Sequence, residues 1–108
     1  MTRDLVEIET LAESLAAYID EMTELERSPR TIKNNRVVVE SFLETVDPKL
    51  KFPTRKLGEA HVRNWLKGLR VEPSSKRAYL GYVQRFMNWC VETNRLRANT
   101  AKRTWLSE

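Results

Sequence analysis

Apolar positions fall into four clusters, each at helical spacing. Ile8, Leu11, Leu15, Tyr18, Ile19 and Met22 follow an i, i+3, i+4, i+7 pattern with acids on the other faces, which predicts a first amphipathic helix. Thr10 stands in position to cap it, with Glu13 three residues on completing a capping box. Ser28-Pro29 opens a second helix, because a serine can accept from orphan amides and proline's fixed φ and missing N–H suit the first helical position. Its inward stripe is Ile32, Val39, Phe42, Leu43 and Val46, and Asp47-Pro48 ends it, since the residue before a proline avoids the α region. Pro48 to Lys56 reads as a loop. Gly58, a tolerated cap, and Glu59 then open a short third helix carrying Val62, Trp65, Leu66 and Leu69. Pro73-Ser74-Ser75 breaks the chain again and supplies caps for a fourth helix with Tyr79, Leu80, Val83, Phe86, Met87, Cys90 and Val91 inward. That helix is expected to close near Thr93-Asn94, with asparagine in the left-handed region and Leu96 folded back.

Composition supports the same class. Three glycines in 108 residues, and few β-branched runs, favour an all-α fold over a sheet with many tight turns. The length suits one domain, with a helical bundle over about residues 8–97 and a basic tail over 98–108. No run approaches the roughly 20 apolar residues of a membrane span, and the first residues include Arg3, Asp4, Glu7 and Glu9 where a signal peptide would be apolar. The expectation is a cytoplasmic protein without a membrane partner. A lone cysteine, Cys90, forms no intrachain disulfide, and no ligand set has zinc spacing, so no cofactor or metal is expected.

Charge changes the picture more by distribution than by its total of +4. Residues 1–27 hold eight acids against Arg3 and Arg27, whereas residues 28–108 hold seventeen Lys and Arg against seven acids. A surface of that second kind suits a polyanion such as DNA. Within it, Arg30, Thr31, Lys33, Asn34 and Val37 lie opposite the core stripe of the second helix, and Ser75, Lys76 and Arg77 occupy the first turn of the fourth, with Arg85 two turns further on. Cations and hydroxyls at helix beginnings suit phosphate contacts and base edges. A solvated, capped helix end is the competing account of each cluster taken alone.

Other conspicuous residues have plainer explanations. Trp65 and Trp89 sit beside core stripes and read as packing residues ahead of base-stacking platforms. Trp105 lies in the basic tail, free to dock on the bundle, to meet another domain, or to stay loose. His61 has no Ser, Cys or metal-ligand set around which a catalytic site assembles, and reads as a surface residue. Cys90, on the inward stripe, reads as a small buried hydrophobe, with a reactive thiol the alternative. The glutamates of the first helix read as a solvated face.

Ser28-Pro29-Arg30-Thr31-Ile32, followed by Val39, Phe42 and Leu43, resembles the opening of the core-binding domain of tyrosine recombinases, also called phage integrases. LGEAHVRNWLKGL, Leu57 to Leu69, resembles that family's third helix, and SSKRAYLGYVQRFMNWCVETNRLRAN, Ser74 to Asn99, its fourth helix and exit. The likeness spans roughly residues 8 to 100 and consists largely of caps and core positions in order. It implies a four-helix, SAM-like bundle that packs on one face of double-stranded DNA while a separate C-terminal catalytic domain of the same parent chain packs on the other. It also implies that Arg30, Thr31, Lys33, Asn34, Ser75, Lys76 and Arg77 approach the duplex. Two departures stand out: Asn35 occupies a position the family gives to an aromatic residue, and Asn99-Thr100 replaces an Asn-Pro exit. The family's nucleophilic tyrosine with its arginine, lysine and histidine activators has no counterpart, so the chain is expected to be non-catalytic and monomeric. It would be either an excised N-terminal piece or a stand-alone homologue. The rivals are a helical protein-interaction module and, third, a helix-turn-helix regulator, for which Arg70 to Ser74 lacks a glycine-centred turn.

Overall fold

A computed structural model describes residues 9–97. Ile8 of the first stripe, the Asn99-Thr100 exit and the tail with Trp105 lie outside the described residues. The elements in order are α1 (Leu11–Glu24), α2 (Pro29–Val46), a 3-10 turn (Thr54–Lys56), α3 (Glu59–Gly68) and α4 (Pro73–Glu92). The fold is all-α: among the described residues there is no strand, only an isolated bridge between Thr10 and Pro53. No described helix is long and apolar enough to cross a membrane.

The helix ends show why these residues start and stop where they do. Thr10 and Glu13 form the expected capping box, with the Glu13 amide donating to the Thr10 hydroxyl and the Thr10 amide to the Glu13 carboxylate. The remaining orphan amides of α1 are met from the loop before α3, where Phe52 and Leu50 carbonyls accept from Leu11 and Ala12 at 3.0 Å each. Ser28 caps α2 by accepting from the Thr31 amide at 3.1 Å, and Pro29 takes the first helical position. Asp47 closes α2 in an extended conformation, and its carboxylate accepts from the amides of Lys49 and Lys51. α4 ends in a Schellman motif: Asn94 is left-handed (φ 65°), the Arg95 amide returns to the Cys90 carbonyl, and Leu96 is buried. α1 ends the same way, with Glu26 at φ 57° and the Arg27 amide returning to the Met22 carbonyl.

Two details differ from the sequence expectation. Pro73 takes the first helical position of α4, so the cap falls on Glu72, whose side chain makes no capping bond, and Ser74 and Ser75 lie inside the first turn. His61 is half-buried, not a plain surface residue: its Nδ1 accepts the Gly58 amide at 3.0 Å, and its ring meets Phe52 edge-on at 5.3 Å. Gly58 has no side chain to cap α3, and His61 satisfies the amide of the cap residue.

Helix α2 is central and packs against each of the other three. Val39, Phe42 and Leu43 are fully enclosed, joined by Leu11 of α1, Val62 of α3, and Val83, Phe86, Met87 and Cys90 of α4. Each large side chain so enclosed contributes about 1.5–3 kcal/mol. Trp65 packs against Phe42 and donates its Nε1 hydrogen to Ser41, and Trp89 stacks beside Phe86, so both tryptophans are core residues. Burial pushes the Cys90 thiol up to about 12. The acids of α1 are mostly solvated, but Glu9, just before it, is not: its carboxylate accepts from the Ser14 hydroxyl and from Arg95, whose guanidinium lies 4.4 Å from the Trp89 ring centre. Ser14 in turn pairs with Thr54 at 2.7 Å. This network ties the start of α1 to the 3-10 turn and to the end of α4.

The same contacts fix the helix directions. Glu9 meets Arg95 while Tyr18 meets Phe86 at 5.2 Å, so α1 and α4 are antiparallel. The start of α1 is hydrogen-bonded to the segment just after α2, so α1 and α2 are antiparallel as well. Consequently α2 and α4 both begin at the end of the bundle where α1 finishes.

Candidate nucleic-acid interface

That shared end carries the residues singled out from sequence, which differ in their exposure. Arg30, Thr31, Lys33 and Asn34 are exposed on the first two turns of α2, with Val37 (57% exposed) continuing the outward face. In α4, Arg77 is exposed, whereas Ser75 and Lys76 are half-buried. The cationic character of α2 is confined to its first half: Arg30, Lys33 and Arg36 give way to Glu40 and Glu44. A ligand drawn by charge would therefore lie across the beginning of α2, not along its length.

Between the end of α1, the start of α2 and the middle of α4 runs a groove of about 760 Å³. Thr31 and Asn34 open onto it; Arg30, Lys33, Ser75, Lys76 and Arg77 do not line it. Arg27, in the turn between α1 and α2, and Arg85, on α4, both line the groove, and the Arg85 guanidinium sits 4.9 Å from the centre of the Tyr82 ring. In the sequence, Arg85 reads only as a distant companion of Arg77, and Arg27 counts with the acidic N-terminal segment. Their pairing is hidden there because it depends on which turn of α4 faces the α1–α2 corner. Glu21 and Glu26 line the groove as well, so its charge is mixed.

The floor is made by Tyr18 and Asn35. Asn35 is 2% exposed; its amide nitrogen donates to the Thr31 carbonyl at 2.9 Å, and its oxygen accepts from the Tyr18 hydroxyl at 3.4 Å. The position that departs from the family resemblance is thus filled by a polar contact between α1 and α2. Burial raises the Tyr18 phenol above its ordinary value, partly opposed by the nearby Arg85 charge.

The described residues hold two ion pairs, exposed Arg63–Glu59 within α3 and Arg95–Glu9. Arg30, Lys33, Arg36, Lys76 and Arg77 make none among the described residues, so their charges are open to an external anion. The described residues contain no group of three His, Cys, Asp or Glu placed to hold a metal ion. His61 and Cys90 are each committed to structural roles in capping and packing. No family model matches the sequence, and no curated protein or solved structure matches it either.

Proposed function

We propose that this domain binds double-stranded DNA as a core-binding module of the tyrosine recombinase or integrase type, with a SAM-like arrangement of its four helices. It contributes affinity and register while a separate catalytic domain of a longer parent chain performs strand exchange. The observation that carries this reading is that α2 and α4 both begin at the end of the bundle where α1 finishes, and that Arg30, Lys33, Lys76 and Arg77 have no ion-pair partner among the described residues. Cations so placed favour backbone phosphates, and Thr31, Asn34 and Ser75 add hydrogen-bonding groups. The module is non-catalytic, needs no cofactor, works in the cytoplasm and is a monomer in isolation.

The test is duplex binding by fluorescence anisotropy across a salt series. Each phosphate contact contributes roughly 0.9 to the slope of log K against log salt, so Lys33→Ala with Lys76→Ala should flatten it by up to about 1.8. An isotherm unchanged by the double substitution rejects the assignment.

One observation favours a second reading, a protein-interaction module: Leu25 is 58% exposed beside the half-buried Met22 and the acids Glu21 and Glu26. Amide chemical shifts under titration with a generic duplex separate the two. Movement at residues 29–37 and 74–80 supports DNA, and none there supports a protein partner.

A further inference from the structure

Resting on the DNA-binding reading, we infer that the groove between α1, α2 and α4 holds one sugar-phosphate unit of the bound strand, gripped by Arg27 and Arg85, with Tyr82 setting the pose of Arg85. The groove volume, about 760 Å³, lies within the ~300–1,000 Å³ typical of sites that enclose a small ligand. Arg27 and Arg85 are both exposed and neither forms an ion pair among the described residues. Arg85 lies over the Tyr82 ring at 4.9 Å, which limits the freedom of its planar fork and so reduces what is lost when it closes on a phosphate. Asn34 adds an amide with no hydrogen bond of its own among the described residues.

The mixed character of the groove narrows the occupant. Two arginines call for an anion, Tyr18, Met22 and Tyr82 add apolar lining, and Glu21 with Glu26 oppose further negative charge. A ligand that is anionic along one edge and uncharged along the next meets all three demands. A phosphodiester with its deoxyribose has that form. The two glutamates then act as a limit on the negative charge the groove accepts, and removing them should strengthen binding.

The experiment compares duplex affinity and salt slope for the unmodified protein with Arg27→Ala, Arg85→Ala, Tyr82→Phe, Tyr82→Leu and Glu21→Gln with Glu26→Gln. Lys33→Ala reports on the DNA reading itself. Loss of one phosphate contact removes about 0.9 from the slope, equivalent to roughly eightfold in affinity at 0.1 M salt. Arg27→Ala and Arg85→Ala should each show that loss. Tyr82→Phe should bind normally, Tyr82→Leu should bind less well, and the paired glutamine variant should bind more tightly. Circular dichroism confirms that each variant is folded. If Lys33→Ala weakens binding while both arginine variants bind as the unmodified protein does, the groove lies off the DNA path and the inference is overturned, with the DNA reading intact. If the unmodified protein shows no salt-dependent duplex binding, both fail together.

Discussion

The Tyr18–Asn35 contact beneath the groove gives a stability prediction whose sign depends on how many partners are removed. Both side chains are buried, and the bond between them, at 3.4 Å, is long. Tyr18→Phe keeps the ring contacts with Phe86 and Trp89 but leaves the Asn35 oxygen without its donor. An orphaned buried acceptor costs about 1–3 kcal/mol, and the long bond places this one near 1. Asn35→Leu costs more at first sight, since it strands the Tyr18 hydroxyl and removes the bond to the Thr31 carbonyl. The double variant removes both polar partners and substitutes apolar volume at the α1–α2 contact, a change that tends to be nearly neutral. The single effects should therefore not add: the double-mutant cycle should return a coupling of about 0.5–1 kcal/mol, read from urea denaturation at constant m-value. Alkaline titration tests the burial of the Tyr18 phenol separately, since desolvation is the main cause of its raised pKa. The folded-state phenol is raised above 10.0, so its stabilising contribution is complete below that value and is lost as pH climbs from there through the folded pKa. Tyr18→Phe should abolish that part of the alkaline loss. Additive single effects, with a coupling under about 0.3 kcal/mol, would refute the contact as an energetic link.

Three further outcomes follow from local geometry. Glu26 holds a left-handed conformation that costs a non-glycine residue roughly 1–2 kcal/mol, so Glu26→Gly should raise stability by about 1 kcal/mol and the thermal midpoint by roughly 4–8 °C. Gly81 is inside α4 and an added Cβ there would meet nothing within 4 Å, so Gly81→Ala should stabilise by about 0.5–1 kcal/mol in the same thermal assay. Cys90, enclosed and with its thiol pushed up to about 12, should resist iodoacetamide at pH 8 in the folded protein and react promptly in denaturant, read by mass spectrometry.

Features governed by neighbours along the chain are legible in the sequence. The Thr10–Glu13 box, the Ser28-Pro29 start, the Asp47-Pro48 stop and the Asn94–Leu96 closure each need only a few consecutive residues, because the groups they satisfy lie within one helical turn. The inward stripes are legible for the same reason, since helical periodicity converts spacing into a face. Even here local rules compete: Pro73 and the two serines after it all suit a helix start, and proline's fixed φ takes the first helical position and moves the cap to Glu72.

What the sequence hides depends on which faces meet. Glu9 and Arg95 stand 86 residues apart, and nothing local marks that acid as structural among the solvated acids that follow it. Arg27 and Arg85 meet the same groove only because α1 and α2 turn back at Glu26 and α4 crosses that corner at Tyr82. The distribution of charge points to the end where α2 and α4 begin but counts Arg27 with the acidic segment, whereas its backbone position beside Ser28 puts it at the mouth of the basic one. The candidate site is therefore less a pair of equal helix beginnings than an asymmetric surface. The first half of α2 is its open cationic part, the α1–α2 turn and mid-α4 enclose its groove, and Ser75 and Lys76 are partly drawn into the bundle. If that asymmetry governs binding, charge removal at Arg85 must weaken the complex at least as much as removal at Lys76, the reverse of the ordering that the sequence alone suggests.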